Sequence, residues 1–175
     1  MGLDTSHGCW RGAYSAFMRW REKLAEVAGL PPLERMEGFW VDNPNLDGHY
    51  GRNYGAGQLS LKVIASAMRR WGDGIPQQNC LKEDAARIEE MCRAPSIKWN
   101  CLKPRPLLHL LNHSDCDGEI GWELAGALAD DLASLVLLLP DEDGGGHIGN
   151  WREKTQTFID GLRAAHAAKE NVDFH

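Results

Sequence analysis

Residues 112–123 read NHSDCDGEIGWE, and Asn112, His113, Ser114, Asp115 and Asp117 crowd donors, acceptors and titratable groups into one turn before an apolar stretch. Three kinds of chemistry compete for such a turn: a metal loop, a ligand or catalytic loop, and a richly decorated helix cap. A calcium loop of the EF-hand type needs oxygen ligands at positions 1, 3 and 5, glycine at 6 and a bidentate glutamate at 12. With Gly118 at position 6, His113 stands at position 1 and Leu124 at position 12, and neither fits. Alignment on Gly144 puts Leu139 at position 1, and alignment on Gly48 puts Tyr54 at position 12. A transition metal needs converging nitrogen, sulfur or carboxylate ligands. The chain has no HxH, HExxH or paired CxxC. No metal and no cofactor is therefore expected. A helix cap accounts for Asp117 or Ser114, whose oxygens suit the first backbone N–H groups of the helix that follows. It does not account for Asn112, His113 and Asp115 as well. Those groups suit the edge of a base or a ribose diol, and His113 beside Asp115 suits an oriented general base. Ser114 sits in neither GxSxG nor SxxK, which counts against a nucleophile there.

Two further clusters stand at helix entrances. GGGHIGNWRE, 144–153, frees backbone N–H groups ahead of a helix and adds donors from His147, Asn150 and Arg152, with Trp151 beside them. It lacks the lysine and spacing of a P-loop, and the acidic DED before it opposes a phosphate. The bland alternative is a helix–helix linker. DTSHGCWRGAY, 4–14, brings His7, Trp10, Arg11 and Tyr14 together, with 7, 11 and 14 near one another if the segment is helical. A cation, a stacking ring and an imidazole are what a nucleotide-type ligand requires. The alternative is that Trp10 and Tyr14 belong to the core. Each cluster carries a histidine, and together they predict one shared pocket.

These clusters need elements to carry them. Residues 9–28 read as an amphipathic helix with Trp10, Tyr14, Phe17, Leu24 and Val27 near one face, closed by Gly29 and Pro31-Pro32. Residues 38–57 hold five glycines and read as a loop long enough to be a lid. Helices follow over 58–71 and 82–93, and 96–102 alternates enough for a strand. Pro104 and Pro106 delay the next helix. Residues 119–139 read as the strongest helix, with the stripe Gly121, Ala125, Leu128, Leu132, Leu135 and Leu139, ended by Pro140. A last helix spans 150–168, capped by Asn150, and the terminal VDFH can pair with the N-terminal segment. The expected fold is mainly α or α+β. It is a single domain over 1–175 of about five helices, with a small sheet from the termini.

Composition removes several classes. The chain has 175 residues, 43% hydrophobic and 25% charged, as in ordinary globular proteins. No apolar run approaches the ~18 residues that span a membrane, so no membrane is expected. The opening MGLDTSHGCW has no signal-peptide order. Five cysteines without CxxC fit free thiols in a reducing cytoplasm. A net charge of −6 repels a phosphate backbone, so no nucleic acid is expected. Seven tryptophans are most simply core residues, with two or three left to stack on a planar ligand.

The stretches MGLDTSHGCWRGAYSAF, LLNHSDCDGEI and LPDEDGGGHIGNW resemble those of small, largely uncharacterised proteins of bacteriophages and prophages. The resemblance implies a place in the infected bacterial cytoplasm and, by analogy of class, a protein that sequesters or cleaves a nucleotide immune signal. The expected function is binding of a small nucleotide-derived ligand without chemistry, in a homo-oligomer of at least two copies. Trp10 and Trp151 would stack, Arg11 and Arg152 would face phosphates, and Asn112, His113 and Asp115 would read base or ribose. A phosphodiesterase-like hydrolase using His7, His113 or His147 is the first alternative. An inhibitor of a host protein is the second.

Overall fold

The structure, a computed structural model, describes residues 2–37, 97–114, 117–145 and 147–175. The chain divides into two units, Met1–Leu30 with Pro104–His175, and Pro31–Lys103. The expected helices over 58–71 and 82–93 and the lid over 38–57 lie outside the described residues.

The first unit is α+β. Its N-terminal strands β1 (Gly2–Asp4) and β2 (Arg11–Ala13) pair antiparallel, with Leu3 opposite Gly12. A 3-10 turn, Ser6–Gly8, lies between them. Helix α1 runs Tyr14–Val27 and therefore begins later than residue 9. Pairing with β1 removes 11–13 from the helix, and His7 and Gly8, at φ 58° and 66°, turn the chain the other way. Helix α2 (Leu107–Leu111) starts directly after Pro106. Helix α3 covers Trp122–Ala133 only. Residues 119–120 are instead strand β3, paired with β4 (Val172–Asp173), and 136–138 form a 3-10 turn. The apolar stripe survives this shortening: Ala125, Leu128, Leu132, Leu135 and Leu139 are all buried.

Helix α4, Trp151–Ala168, follows the expected bounds. Asn150 caps it through its side-chain oxygen, which accepts from the N–H groups of Arg152 (2.9 Å) and Glu153 (3.2 Å). The termini also meet. Thr5 bridges Phe174, and Asp4 and His175 exchange N–H···O bonds of 2.9 and 3.0 Å. The C-terminal segment thus lies between the N-terminal turn and β3.

The core of this unit is aromatic. Trp10 and Phe17 meet edge to face at 4.9 Å, and Trp20 lies 4.8 Å from Phe158. Trp20 Nε1 donates to Thr155 Oγ1 at 2.9 Å, so the buried indole has its acceptor. Glycines let α4 approach both α3 and the N-terminal turn closely. Gly126 faces the His166 ring, and Gly161 faces Cys9 and the His7 carbonyl, where an added Cβ would stand only 2.6–2.8 Å away.

In the second unit the described residues form the 3-10 turns Leu33–Arg35 and Trp99–Cys101, joined by a bridge between Met36 and Ile97. The strand expected over 96–102 is reduced to that bridge, because 99–101 turn. Trp99 Nε1 donates to the Glu37 carbonyl at 2.9 Å. Leu33 and Met36 are buried.

Candidate functional site

The first cluster is tied to the C-terminus. His7 sits in the left-handed region, with Nδ1 3.0 Å from Ser6 Oγ and Nε2 2.9 Å from Glu170 Oε2. Trp10 is 1% exposed and lies against Phe17 and Trp20. It is a core ring, so the stacking role expected of it does not hold. Its buried Nε1 finds no hydrogen-bond partner among the described residues. Lys154 stands over the ring at 4.1 Å and donates to the Arg11 carbonyl at 3.0 Å, and burial lowers the Lys154 pKa. Arg11 points to solvent, 3.7 Å from Asp4, and Tyr14 is half-buried at the start of α1.

The second cluster largely serves the backbone. His113 packs its ring on Phe174 at 4.1 Å, with Nδ1 2.8 Å from the Ser114 carbonyl and Nε2 3.3 Å from the Glu119 carbonyl. Ser114 Oγ donates to Asp117. Asn112 closes α2, its N–H donating to Leu108 at 3.0 Å. Asp115 lies outside the described residues. The residue that organises this turn is Arg21, which the sequence reading passed over. It is fully buried, lies 4.7 Å over the Phe17 ring, and donates to the His113 carbonyl at 2.7 Å and to Leu110 and Leu111 at 3.4 Å. A cation there meets the negative end of α2. Its place on the apolar face of α1, one residue after Trp20, was the available signal.

The third cluster lies at the far end of α4. His147 is exposed at φ 71° in the loop that enters the helix. Arg152 is held by that loop: Nε donates to the Leu139 carbonyl at 2.8 Å, and Nη1 is 3.5 Å from Asp141. Trp151 is 6% exposed, too covered for an open stacking plate. Helix α4 has 18 residues, which at 1.5 Å per residue span about 27 Å. Trp151 opens this helix and Glu170, the partner of His7, follows its end. The structure brings the first two clusters together along the C-terminal segment and leaves the third at the opposite end. A single hollow holding His7, His113 and His147 is not formed.

The third cluster does border a cleft of about 370 Å³. One wall is α1, with Arg19, Glu22, Lys23 and Glu26. The other is the loop residues Glu142, Asp143 and Gly144, and Trp151 forms the remaining side. Arg19 Nη2 donates to the Gly144 carbonyl at 2.7 Å, which joins the walls. Lys23 Nζ lies 2.6 Å from Glu26 Oε2 and 5.9 Å from the Trp151 ring. Gly144 allows the ring in, since a Cβ there would stand 2.6 Å from it. The four α1 residues share a face by their 19, 22, 23, 26 spacing, a signal easily taken for a solvated stripe.

Among the described residues, no three His, Cys, Asp or Glu side chains gather as a metal site. No described helix is long and apolar enough to cross a membrane. Neither a family model, nor a curated protein, nor a solved structure matches the chain.

Proposed function

We propose that the chain is a small-ligand-binding protein and that its ligand is a nucleotide-derived molecule held in the cleft beside Trp151. The observation that carries this reading is the mixed lining of that cleft. Glu26, Glu142 and Asp143 offer acceptors for the N–H edge of a base or for ribose hydroxyls. Arg19 and Lys23 offer cations for a phosphate, and Trp151 closes the remaining side with an apolar surface. The volume stands at the low end of small-molecule sites, which run about 300–1,000 Å³, and suits one nucleotide unit. Four carboxylates against two cations leave the lining at −2. That balance favours a ligand with one phosphate and an amino-bearing base over a polyphosphate.

The resemblance to small phage and prophage proteins supports a biological setting for this reading. The protein would sequester a nucleotide immune signal in the host cytoplasm, as an assembly of at least two copies.

Equilibrium dialysis against nucleosides, nucleoside monophosphates, cyclic dinucleotides and ADP-ribose tests it, followed by heat denaturation and mass analysis of released ligand. Intact recovery of a monophosphate-sized ligand is expected, with uptake weakened about tenfold or more when Glu26→Gln and Asp143→Asn remove two charged acceptors. Recovery with altered mass would replace binding by hydrolysis. No uptake of any member would discard the reading in favour of a host-protein inhibitor.

A further inference from the structure

At the end of α4 remote from the cleft, Ser6, His7 and Glu170 form a continuous hydrogen-bonded chain. Ser6 Oγ is 3.0 Å from His7 Nδ1, and His7 Nε2 is 2.9 Å from Glu170 Oε2. An ionised carboxylate only accepts, so the Glu170 contact places the imidazole proton on Nε2 and leaves Nδ1 as an acceptor for the serine hydroxyl. The Asp173 N–H donates to Ser6 Oγ at 2.9 Å, which orients that oxygen and leaves its own proton for His7. The competing acceptor, the Asn171 carbonyl, is farther away at 3.4 Å. We propose that this chain is an acyl-transfer centre, with Ser6 as nucleophile, His7 as general base, and Glu170 as the positioning residue that fixes the imidazole tautomer.

The arrangement has the roles of a serine triad with the two imidazole nitrogens exchanged. The surrounding backbone holds it in place. His7 is kept in the left-handed region, at φ 58°, by a turn pressed against Gly161. Ser6 and His7 are half-buried and the Glu170 side chain is 68% exposed, so the hydrogen-bonded chain runs out to solvent at its carboxylate end. An open site beside the Glu170 carboxylate suits a small neutral ester rather than an anionic one. As Ser6 Oγ bonds to the ester carbonyl carbon, its proton passes to His7 Nδ1. The alcohol leaves with that proton as the C–O bond breaks. Water then adds to the acyl-serine and gives a proton to Nδ1. That proton returns to Ser6 Oγ as the carboxylic acid departs.

A fluorophosphonate probe tests this on the intact protein, since attack by Ser6 Oγ expels fluoride and leaves a phosphonyl adduct that peptide mass mapping locates. An adduct on Ser6 of the folded protein is expected, together with slow hydrolysis of p-nitrophenyl acetate. Asparagine tolerates positive φ, so His7→Asn keeps the turn. It should melt as the parent does while labelling about 100-fold more slowly. Glu170→Gln changes an exposed side chain and should slow labelling without altering the melt, with Glu170→Asp restoring part of the rate. No Ser6 adduct on the folded parent would overturn the proposal. So would equal labelling of parent and His7→Asn. Ligand uptake in the cleft is read separately and is unaffected by either result.

Discussion

Gly161→Ala tests the contact that joins α4 to the N-terminal turn. Glycine inside a helix costs about 0.5–1 kcal/mol relative to alanine, so propensity alone makes the substitution stabilising. Packing opposes it. An ideal Cβ at 161 would stand 2.6 Å from Cys9 Sγ and 2.8 Å from both the Cys9 nitrogen and the His7 carbonyl oxygen. Two of those atoms are backbone, and their turn is fixed by Ser6 bonding to the C-terminal segment and by Trp10 N–H donating to Thr5 Oγ1 at 2.7 Å. It cannot yield by a rotamer change. Inserting a methyl into a packed core costs about 1–3 kcal/mol, and the upper half of that range applies where backbone must move. The net loss is then about 1–2 kcal/mol, or roughly 2–8 °C in Tm at this chain length. Urea and thermal melts read it directly. Gly126→Ala is the comparison, because there the obstacle is the His166 ring at 2.9–3.0 Å, a side chain that can swing away. A smaller loss is expected at 126 than at 161. A Tm that rises in Gly161→Ala, or a larger loss at 126, would refute the close-approach reasoning.

The remaining predictions concern single groups. Arg105 forms a two-armed pair with Asp131, at 3.1 and 2.5 Å, and the Leu107 N–H donates to the same carboxylate at 2.9 Å. Asp131→Asn should therefore lower stability by about 1–3 kcal/mol in denaturant melts, and an unchanged midpoint would count against it. Burial alone would raise the Asp131 pKa, but the Arg105 and Leu107 hydrogen bonds hold it below the ordinary carboxylate value. That contribution is complete above the unfolded carboxylate range, near pH 4, and is lost as pH falls through the depressed folded value. The stability of Asp131→Asn should consequently fall less between pH 5 and pH 2 than the parent's. Burial pushes the Cys9 thiol up to about 12, while Cys101 is exposed. Mass-mapped alkylation of the native protein at pH 8 should modify Cys101 and spare Cys9 until the chain unfolds. Asn150→Ala should cost about 1 kcal/mol by exposing the first turn of α4, read as a lower urea midpoint.

What the sequence made legible follows from how local each signal is. The bounds of α4 and the Asn150 cap were readable because a cap and an apolar period lie within one segment. The burial of the 121–139 stripe was readable for the same reason, although the helix itself ends at Ala133. Its N-terminal end lies later than the period suggests because 119–120 pair with 172–173, about fifty residues away, and no period within the segment announces a distant partner. The start of α1 lies later than its period suggests for the same reason. Residues 11–13 pair with 2–4, and left-handed His7 is a conformation that a histidine code does not declare.

The three polar clusters show the same limit at the scale of a site. Each has its histidine at the entrance of a turn or helix, and similarity of composition suggested that they converge. Composition carries no distance, but helix length does. An 18-residue helix beginning at Trp151 carries its C-terminus about 27 Å away, and the chain that leaves it meets His7 there. Any site containing both His7 and His147 had to bridge that span. What the helix does allow is one proposed site at each end. The cleft at its start takes its charged wall from 19, 22, 23 and 26 of α1, and the relay at its finish takes Glu170 from just past its last turn. Each pairing joins a helix terminus to residues more than a hundred positions away in sequence. In both, tertiary contact rather than local motif gives the side chains their chemistry.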